Sequence, residues 1–175
     1  MTVARTPCFA LAAVLVPLLG GHAVAQSNEA AAERANTFSD WVLETNGGGA
    51  NKVCFIATTA KQLDAGPAKR SESVLYISAW PKDGIKLEVS IKLGFTAKAA
   101  AGAKVSIGKE AFKLFINDER AFVADATQEL KLVEAMKKGA RLMVEATSQG
   151  GGQVIDTYSL SGIGQALQAQ AAACP

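Results

Sequence analysis

Histidine and cysteine are both scarce in this sequence: its 175 residues contain one His and three Cys. His22 and Cys8 lie within the first 25 residues. If that segment is removed, no histidine remains to serve as the base of a Ser-His-Asp or Cys-His site. Two cysteines are also too few for zinc, which usually takes four Cys or His ligands. We therefore predict no catalytic residues, no metal and no cofactor, and a protein that is not an enzyme.

A large excess of one charge is also missing. One of the 18 Lys and Arg, Arg5, lies in the first 25 residues, which leaves 17 against 16 Asp and Glu. This balance gives no basic patch or stripe of the kind that binds nucleic acid, so we predict no nucleic-acid partner.

Long apolar runs are missing as well. The run from Cys8 to Leu19 is shorter than the roughly 20 residues that a membrane helix needs, so we predict no stable membrane anchor. Together with Arg5 before it and the small residues Ala23-Val24-Ala25 after it, this run is typical of a secretory signal peptide. An uncleaved anchor is the alternative.

The chain is accordingly divided into three parts. We predict a signal peptide over residues 1–25, a flexible or helical lead-in over residues 26–36, and a single domain over residues 37–175. This organisation predicts an exported protein.

Two cysteines remain in the predicted mature chain, Cys54 and Cys174. An even number of cysteines in an exported protein usually indicates a disulfide. A loop of about 120 residues would stabilise the fold by roughly 4–5 kcal/mol in the chain-entropy model. Free thiols with a redox role and intermolecular pairing are the alternatives.

The last segment of the sequence favours the disulfide. It is predicted to form a helix from Ser161, with Ile163, Leu167, Ala171 and Cys174 on one apolar face. If this helix packs on a sheet, Cys174 would lie on the packed side and could meet Cys54.

Short strands separated by turns dominate the rest of the chain. Residues 85–93 alternate apolar and polar side chains, a period of two that predicts one face on a core and one in water. An antiparallel sheet allows this arrangement. One helix is predicted after Asp125 as N-cap, with Leu130, Val133 and Met136 buried. We predict a mainly-β antiparallel sandwich with one inserted helix and a C-terminal helix; a small open barrel is the alternative.

The two tryptophans, Trp41 and Trp80, are candidates for a binding surface, because tryptophan is enriched among the residues that dominate protein interfaces. The alternative is that both pack in the core of the sandwich, where large aromatic side chains are common.

Several segments, in order along residues 38–174, resemble the invasion-associated locus B family of exported bacterial proteins. They are FSDWVLE, KVCF, EAFKLF, AMKKGARLMVEATSQGG, DTYSLSGIGQAL and the final AC. The resemblance implies an immunoglobulin-like sandwich and a periplasmic or secreted location, and it supplies no catalytic residues. Many members have a second, close cysteine pair, which this sequence lacks. The family name associates it with virulence.

The leading functional hypothesis is an exported, non-enzymatic binding or interaction module that assists host-cell interaction by engaging a protein or cell-surface partner. A periplasmic chaperone or stress protein is an alternative, because sheet edges can accept an added strand. A thiol-redox or hydrolytic enzyme that uses Cys54 or Cys174 is another.

Overall fold

The structure is a computed structural model, and it describes residues 36–64 and 70–175. The predicted signal peptide and all but the last residue of the predicted lead-in lie outside the described residues. The described strands, β1 to β11 in chain order, are Thr37–Phe38, Trp41–Asn46, Val53–Thr59, Gln62–Asp64, Val74–Trp80, Ile85–Lys92, Ala103–Ile107, Glu110–Asn117, Arg120–Val123, Arg141–Thr147 and Gln153–Ser159. The helices are α1, Ala126–Lys138, and α2, Ile163–Ala173.

All the described strands belong to one antiparallel sheet with the order β1-β2-β3-β5-β6-β9-β8-β7-β10-β11-β4. Strand β4 begins shortly after β3 ends, yet it pairs with β11 at the opposite side of the sheet. The sheet is therefore folded over on itself, and buried residues of both halves form one hydrophobic core. The predicted mainly-β sandwich with an inserted and a C-terminal helix is confirmed, although its two halves share one hydrogen-bonded sheet.

Side-chain alternation decides which residues face the core. In β3, Cys54 and Ile56 are fully buried, whereas Phe55 between them is half-buried on the outer face. Toward the end of strand β6, Val89 and Ile91 are buried as predicted, but Ser90 between them, which was predicted to face water, is only 3% exposed. At its start Ile85 is 38% exposed, because the pairing of β5 with β6 shifts register there and the strand leaves the core.

Helix α1 begins as predicted, and two of its three predicted core residues, Val133 and Met136, are buried. The Asp125 side chain accepts a hydrogen bond from the Gln128 N–H at 2.9 Å, which confirms the predicted N-cap. The prediction for Leu130 was wrong: it is 57% exposed. The helix packs against β6, β8 and β9, and this contact buries Leu132 and Ala135 in addition to the predicted Val133 and Met136.

Helix α2 closes the fold through its buried face. It begins at Ile163 rather than Ser161, because Gly162 before it has a left-handed conformation with φ of 90°. The side chains that face the sheet are Ile163, Ala166, Gln170 and Cys174. The predicted Ala171 is exposed, and the predicted Leu167 is only half-buried.

The predicted disulfide between Cys54 and Cys174 is present, with the two Cα atoms 6.0 Å apart. Beside it, the buried Gln170 amide donates hydrogen bonds to the carbonyl oxygens of Cys54 at 3.1 Å and Ile77 at 2.8 Å. The Lys52 ammonium donates to the Ala173 carbonyl at 2.7 Å. Covalent and polar contacts thus fix α2 on strands β3 and β5.

A buried ion pair holds the two halves of the sandwich together near the β4 closure. Both terminal nitrogens of Arg70 donate to the Asp156 carboxylate, at 3.0 and 2.5 Å, and one also donates to the Leu93 carbonyl at 3.0 Å. Asp156 is 1% exposed. The Ser73 and Tyr158 hydroxyls hydrogen-bond at 2.5 Å, and burial raises the pKa of Tyr158 well above its ordinary value.

Replacing one cysteine tests how much the disulfide stabilises the fold. Cys174→Ser should lower the free energy of unfolding by about 4–5 kcal/mol, because the unfolded chain regains the freedom that a loop of 120 residues had removed. Denaturant titration measures the loss. Ala172→Ser, an exposed change on the same helix, should leave stability nearly unchanged. Equal stability of Cys174→Ser and the unaltered chain would contradict this account.

Removing the charge of Asp156 tests the buried ion pair. Asp156→Asn should destabilise by about 3–5 kcal/mol, because it leaves the Arg70 charge buried without its counter-ion. Glu145→Gln is the matched control, since Glu145 pairs with the exposed Lys104 at 3.2 Å, and loss of a surface pair costs about 0–1 kcal/mol. Thermal unfolding measures both variants, and similar losses would show that burial adds nothing to the Arg70–Asp156 pair.

Candidate binding site

Aromatic side chains are concentrated on the outer face of one half of the sheet. The described residues include ten aromatic residues. Five of them project outward from β3, β5, β8 and β9, because they alternate with the buried residues of these strands. They are Phe55, Tyr76, Trp80, Phe115 and Phe122. Aromatic residues usually supply core burial, so five on one outer face indicate a surface with another role.

Strand register places these rings next to one another. Tyr76 lies opposite Ser90, Ser90 opposite Phe122, and Phe122 opposite Phe115, so one row crosses β5, β6, β9 and β8. The Phe115 and Phe122 rings are stacked with centroids 5.6 Å apart. Phe55 meets Tyr76 edge-on at 5.8 Å. Both arrangements are favourable for aromatic pairs, and they hold the rings in fixed orientations.

Small residues between the rings create a depression, which we call the aromatic depression. Its floor contains Ser78 and Ser90, which are 7% and 3% exposed. Its volume is about 580 Å³, within the usual range of ligand sites. The remaining lining residues are the four ring residues Phe55, Tyr76, Trp80 and Phe122, together with Val53 and the polar residues Asn46, Glu88 and Arg120.

The polar groups of the depression have few partners in the protein. The Arg120 guanidinium lies 5.3 Å from the centre of the Tyr76 ring, a cation–π contact. Within the described residues it forms no salt bridge, and the Ser78 and Ser90 hydroxyls and the Glu88 carboxylate form no hydrogen bond or salt bridge either. The depression therefore offers free hydrogen-bonding groups between apolar walls.

Charge is distributed unequally along the depression. Arg120 lies opposite Lys92 in the pairing of β9 with β6, so two cations share one end. Glu88 lies four residues from Lys92 on the same strand, a separation of about 13 Å. The site thus has a basic end and an acidic end, with the rings and serines between them.

The site residues predicted from the sequence lie in different places in the structure. Trp41 is fully buried, so the hypothesis that it presents a binding surface was wrong, and its core alternative is correct. Trp80 is half-buried and lines the depression. Cys54 and Cys174 are buried in the disulfide and do not contribute to the depression.

Sequence reasoning missed Phe55, Tyr76, Arg120 and Phe122. One signal for them was available in each strand, because every one of these residues alternates with buried apolar residues. That alternation places them on the outer face, where a large aromatic side chain is unusual.

The segments that resembled a known family have structural roles. The Asp40 N–H donates to the Ser161 carbonyl at 3.3 Å, and the Ser39 and Ser161 hydroxyls are 2.9 Å apart. A Cβ atom on Gly162 would collide with the Phe38 carbonyl oxygen, so this close approach requires glycine. The F-x-D-W and D-T-Y-S-L-x-G segments therefore meet where the β1–β2 turn packs against the start of α2.

Asp40 at this junction is also held by charge. Its carboxylate forms a salt bridge with the Lys61 ammonium at 2.7 Å. Hydrogen bonds from Lys61 and then from Ser159 lower the pKa of Asp40. These contacts join the β1–β2 turn to Lys61, just before β4, and to Ser159 at the end of β11.

Among the described residues there is neither a metal-binding cluster nor a membrane-spanning helix. No three His, Cys, Asp or Glu residues there are grouped so that they could hold a metal ion. Neither α1 nor α2 has the length and apolar character that a bilayer span requires.

A second recess of about 520 Å³ adjoins the depression between β6 and α1. Its lining includes the exposed Ile85, Phe115 and Leu130, and the half-buried Glu129. The Glu129 carboxylate accepts a hydrogen bond from the Val89 N–H at 2.5 Å. Burial raises the pKa of Glu129, the Val89 hydrogen bond partly offsets the rise, and the nearby charges of Glu88 and Asp125 add to it.

Glu129 should therefore make stability depend on pH. Its folded pKa lies above its ordinary value of 4.5, so the folded state favours the protonated form. Its contribution is greatest below pH 4.5 and is lost as pH rises through the folded pKa. Glu129→Gln keeps an oxygen for Val89 without the charge, so its melting temperature relative to the unaltered chain should increase from pH 4 to pH 8.

Glu134→Gln is the matched control on the exposed face of the same helix. Lys137 lowers the pKa of Glu134, so this variant should gain no stability as pH rises. The same pH response in both variants would contradict the assignment to Glu129.

The fold and this site define a class, a disulfide-bonded antiparallel β-sandwich that carries an aromatic depression on its outer face. The sequence model of the family described as Invasion associated locus B (IalB) protein matches residues 41–171. The chain belongs to this family, which confirms the resemblance noted from its motifs.

A solved structure shows a similar fold. The crystal structure of invasion associated protein b from Bartonella henselae is similar with a TM-score of 0.54 and 18% sequence identity, over 78% of this chain and 94% of that chain. At this identity the similarity establishes the fold alone. No curated protein matches the sequence. The disulfide is consistent with a location outside the cytoplasm, because such bonds are rare in the reducing cytosol.

Proposed function

We propose that this protein is an exported, non-enzymatic binding module of the bacterial envelope, and that it engages its partner through the aromatic depression. The observation that carries the proposal is the outward cluster of rings, with Arg120 held on Tyr76 at 5.3 Å and without an ion-pair partner in the described residues. Aromatic residues and arginine dominate the binding energy of protein surfaces, because they combine large contact area with directed hydrogen bonds.

The rigidity of the depression supports this function. The rings belong to strands inside the sheet, and pairs of rings fix each other in place. A partner would therefore lose little free energy by ordering the site, and preorganised surfaces bind more tightly for that reason.

The location and the family support an envelope or secreted setting. The disulfide favours an oxidising compartment, and the signal peptide predicted over residues 1–25 would deliver the chain there. The family is named for invasion, which favours a role in contact with a host cell as part of this proposal.

The redox alternative has less support. Cys54 is fully buried and Cys174 is 8% exposed, and the two are bonded to each other. Reactive thiols are instead partly exposed and lie in electropositive surroundings.

The chaperone alternative has one specific observation in its favour. Strand β9 pairs with β6 only at Ser90, Ile91 and Lys92, so the first part of β6 has an edge without a strand partner among the described residues. That edge is short, and Glu129 already accepts the Val89 N–H. We therefore treat strand capture as a competing outcome of the test below.

Binding to envelopes and cells tests the proposal. Labelled protein comprising residues 26–175, with the disulfide intact, is titrated onto envelopes of the bacterium that produces it. It is also titrated onto cells of a host that this bacterium contacts. Saturable binding is expected, and Phe122→Ala should weaken it about tenfold or more, as expected for a buried aromatic anchor. Met143→Ala, which truncates a side chain that is 43% exposed outside the depression, should leave binding unchanged.

Arg120→Ala provides a second variant in case Phe122→Ala lowers stability, because Arg120 is exposed. Circular dichroism and thermal unfolding confirm the fold of each variant. Absence of saturable binding, or binding that both depression variants retain, would overturn the proposal. Binding that instead disappears on substitution of Ile85 by Pro, with the fold intact, would favour strand capture at the edge of β6.

A further inference from the structure

The ligand class can be inferred from the side-chain groups that are available in the aromatic depression and from the main-chain groups that are already used in the sheet. This inference rests on the proposed function of the same site. The depression lies on β3, β5, β6 and β9, and each of these strands has a neighbour on both sides. Their main-chain groups are used in the sheet, except along the first part of β6, which β9 does not pair. Away from that short edge, an extended peptide could not add to these strands by main-chain hydrogen bonds, which are the basis of strand recognition.

Recognition in the depression must therefore come from side chains. The walls include the rings of Tyr76, Trp80 and Phe122, and the floor includes Ser78 and Ser90, whose hydroxyls have no hydrogen-bond partner in the described residues. The Trp80 indole N–H is buried and also has no partner among these residues. Buried donors usually have partners, so this N–H, together with the two serine hydroxyls, indicates groups that a ligand satisfies.

Sugar rings match this combination of groups. One face of a sugar ring presents C–H bonds, whose weakly positive hydrogens are attracted to the negative face of an aromatic ring. Its edge presents hydroxyls, which can donate to Glu88 and exchange hydrogen bonds with Asn46 and the two serines. Peptides and lipids offer no comparable series of hydroxyls beside an apolar face.

The basic end adds a charge requirement. The Arg120 guanidinium lies over the Tyr76 ring, 5.3 Å from its centre, and Lys92 is its neighbour across the strand pair. Neither side chain forms a salt bridge within the described residues. A guanidinium held in this way is preorganised for the two-point binding of a carboxylate.

We infer that the aromatic depression binds an acidic oligosaccharide. The carboxylate of one sugar pairs with Arg120, with Lys92 beside it, and the adjoining sugars stack on Tyr76, Trp80 and Phe122. Glu88, about 13 Å along β6 from Lys92, accepts hydrogen bonds from hydroxyls at the other end. A short oligosaccharide, rather than a single sugar, spans this distance.

An oligosaccharide array tests the inference directly. Residues 26–175 with the disulfide intact are applied to an array of oligosaccharides that carry uronic or sialic acids, each beside its neutral counterpart with the carboxyl group reduced. Binding should concentrate on the acidic members. Calorimetry on the best acidic member should give at least about tenfold tighter binding than on its neutral counterpart, since a charged hydrogen-bond pair is lost.

Two variants assign the charge preference to one residue. Arg120→Gln should remove the preference for the acidic member and retain weak binding of the neutral one. Lys113→Gln removes an exposed cation of the neighbouring strand that does not line the depression, and it should change nothing. Tryptophan fluorescence provides a further readout, because Trp80 lies in the depression and Trp41 is enclosed in the core.

The outcomes separate this inference from the proposed function. No binding on the array, equal binding of neutral members, or a preference that survives Arg120→Gln overturns the acidic oligosaccharide. If envelope or cell binding then still depends on Phe122 and Arg120, the binding module stands with a different ligand. If neither assay depends on these residues, both proposals fail.

Discussion

The disulfide between Cys54 and Cys174 is the constraint on which the rest of this structure depends. It holds Cys54 on the inner face of β3, next to α2. Because side chains alternate along a strand, a register slip of one residue would reverse every side chain of β3. Fixing Cys54 inward therefore also fixes Phe55 outward, in the aromatic depression. The disulfide that stabilises the inner face of β3 thus also determines the geometry of its outer face.

Polar contacts extend this constraint into the sheet. Gln170 donates to the carbonyl oxygens of Cys54 and Ile77, which lie on neighbouring strands, so α2 orients β3 and β5 together. Tyr76 precedes Ile77 on β5, Trp80 follows it by three residues, and both point outward. At the opposite closure, the Arg70–Asp156 pair keeps the two halves of the sandwich in contact. The candidate site is consequently built partly on two strands, β3 and β5, that α2 holds together.

The segments that define the family and the residues that form the site are largely different. F-x-D-W and D-T-Y-S-L-x-G meet at the junction of the β1–β2 turn with α2, where Gly162 permits a close approach that any side chain would block. In KVCF, by contrast, Cys54 forms the structural disulfide, and Phe55 lines the aromatic depression. Because the residues that stabilise the core are separate from those on the outer face, proteins with one fold can present different surfaces.

Much of the fold could be predicted because its signals are local. Alternation in residues 85–93, the Asp125 cap and an even cysteine pair each report a nearby physical preference, and the structure contains the corresponding strand, helix and bridge. Failures occurred where packing decides: Leu130 was predicted to be buried and is exposed, and Trp41 was a surface candidate and is enclosed. Helical spacing gives the faces of a helix, but only its contacts select which face is covered.

The candidate site lay beyond local signals for the same reason. Phe55, Tyr76, Arg120 and Phe122 come from three strands that are distant in sequence, and strand order and register bring them together. By itself the sequence determined the strands, the inserted helix and the cysteines available for a bridge, since propensity, periodicity and composition act over short distances. The tertiary structure alone decided that the outward rings form one depression around two serines, because pairing between distant strands is set by burial of the whole core.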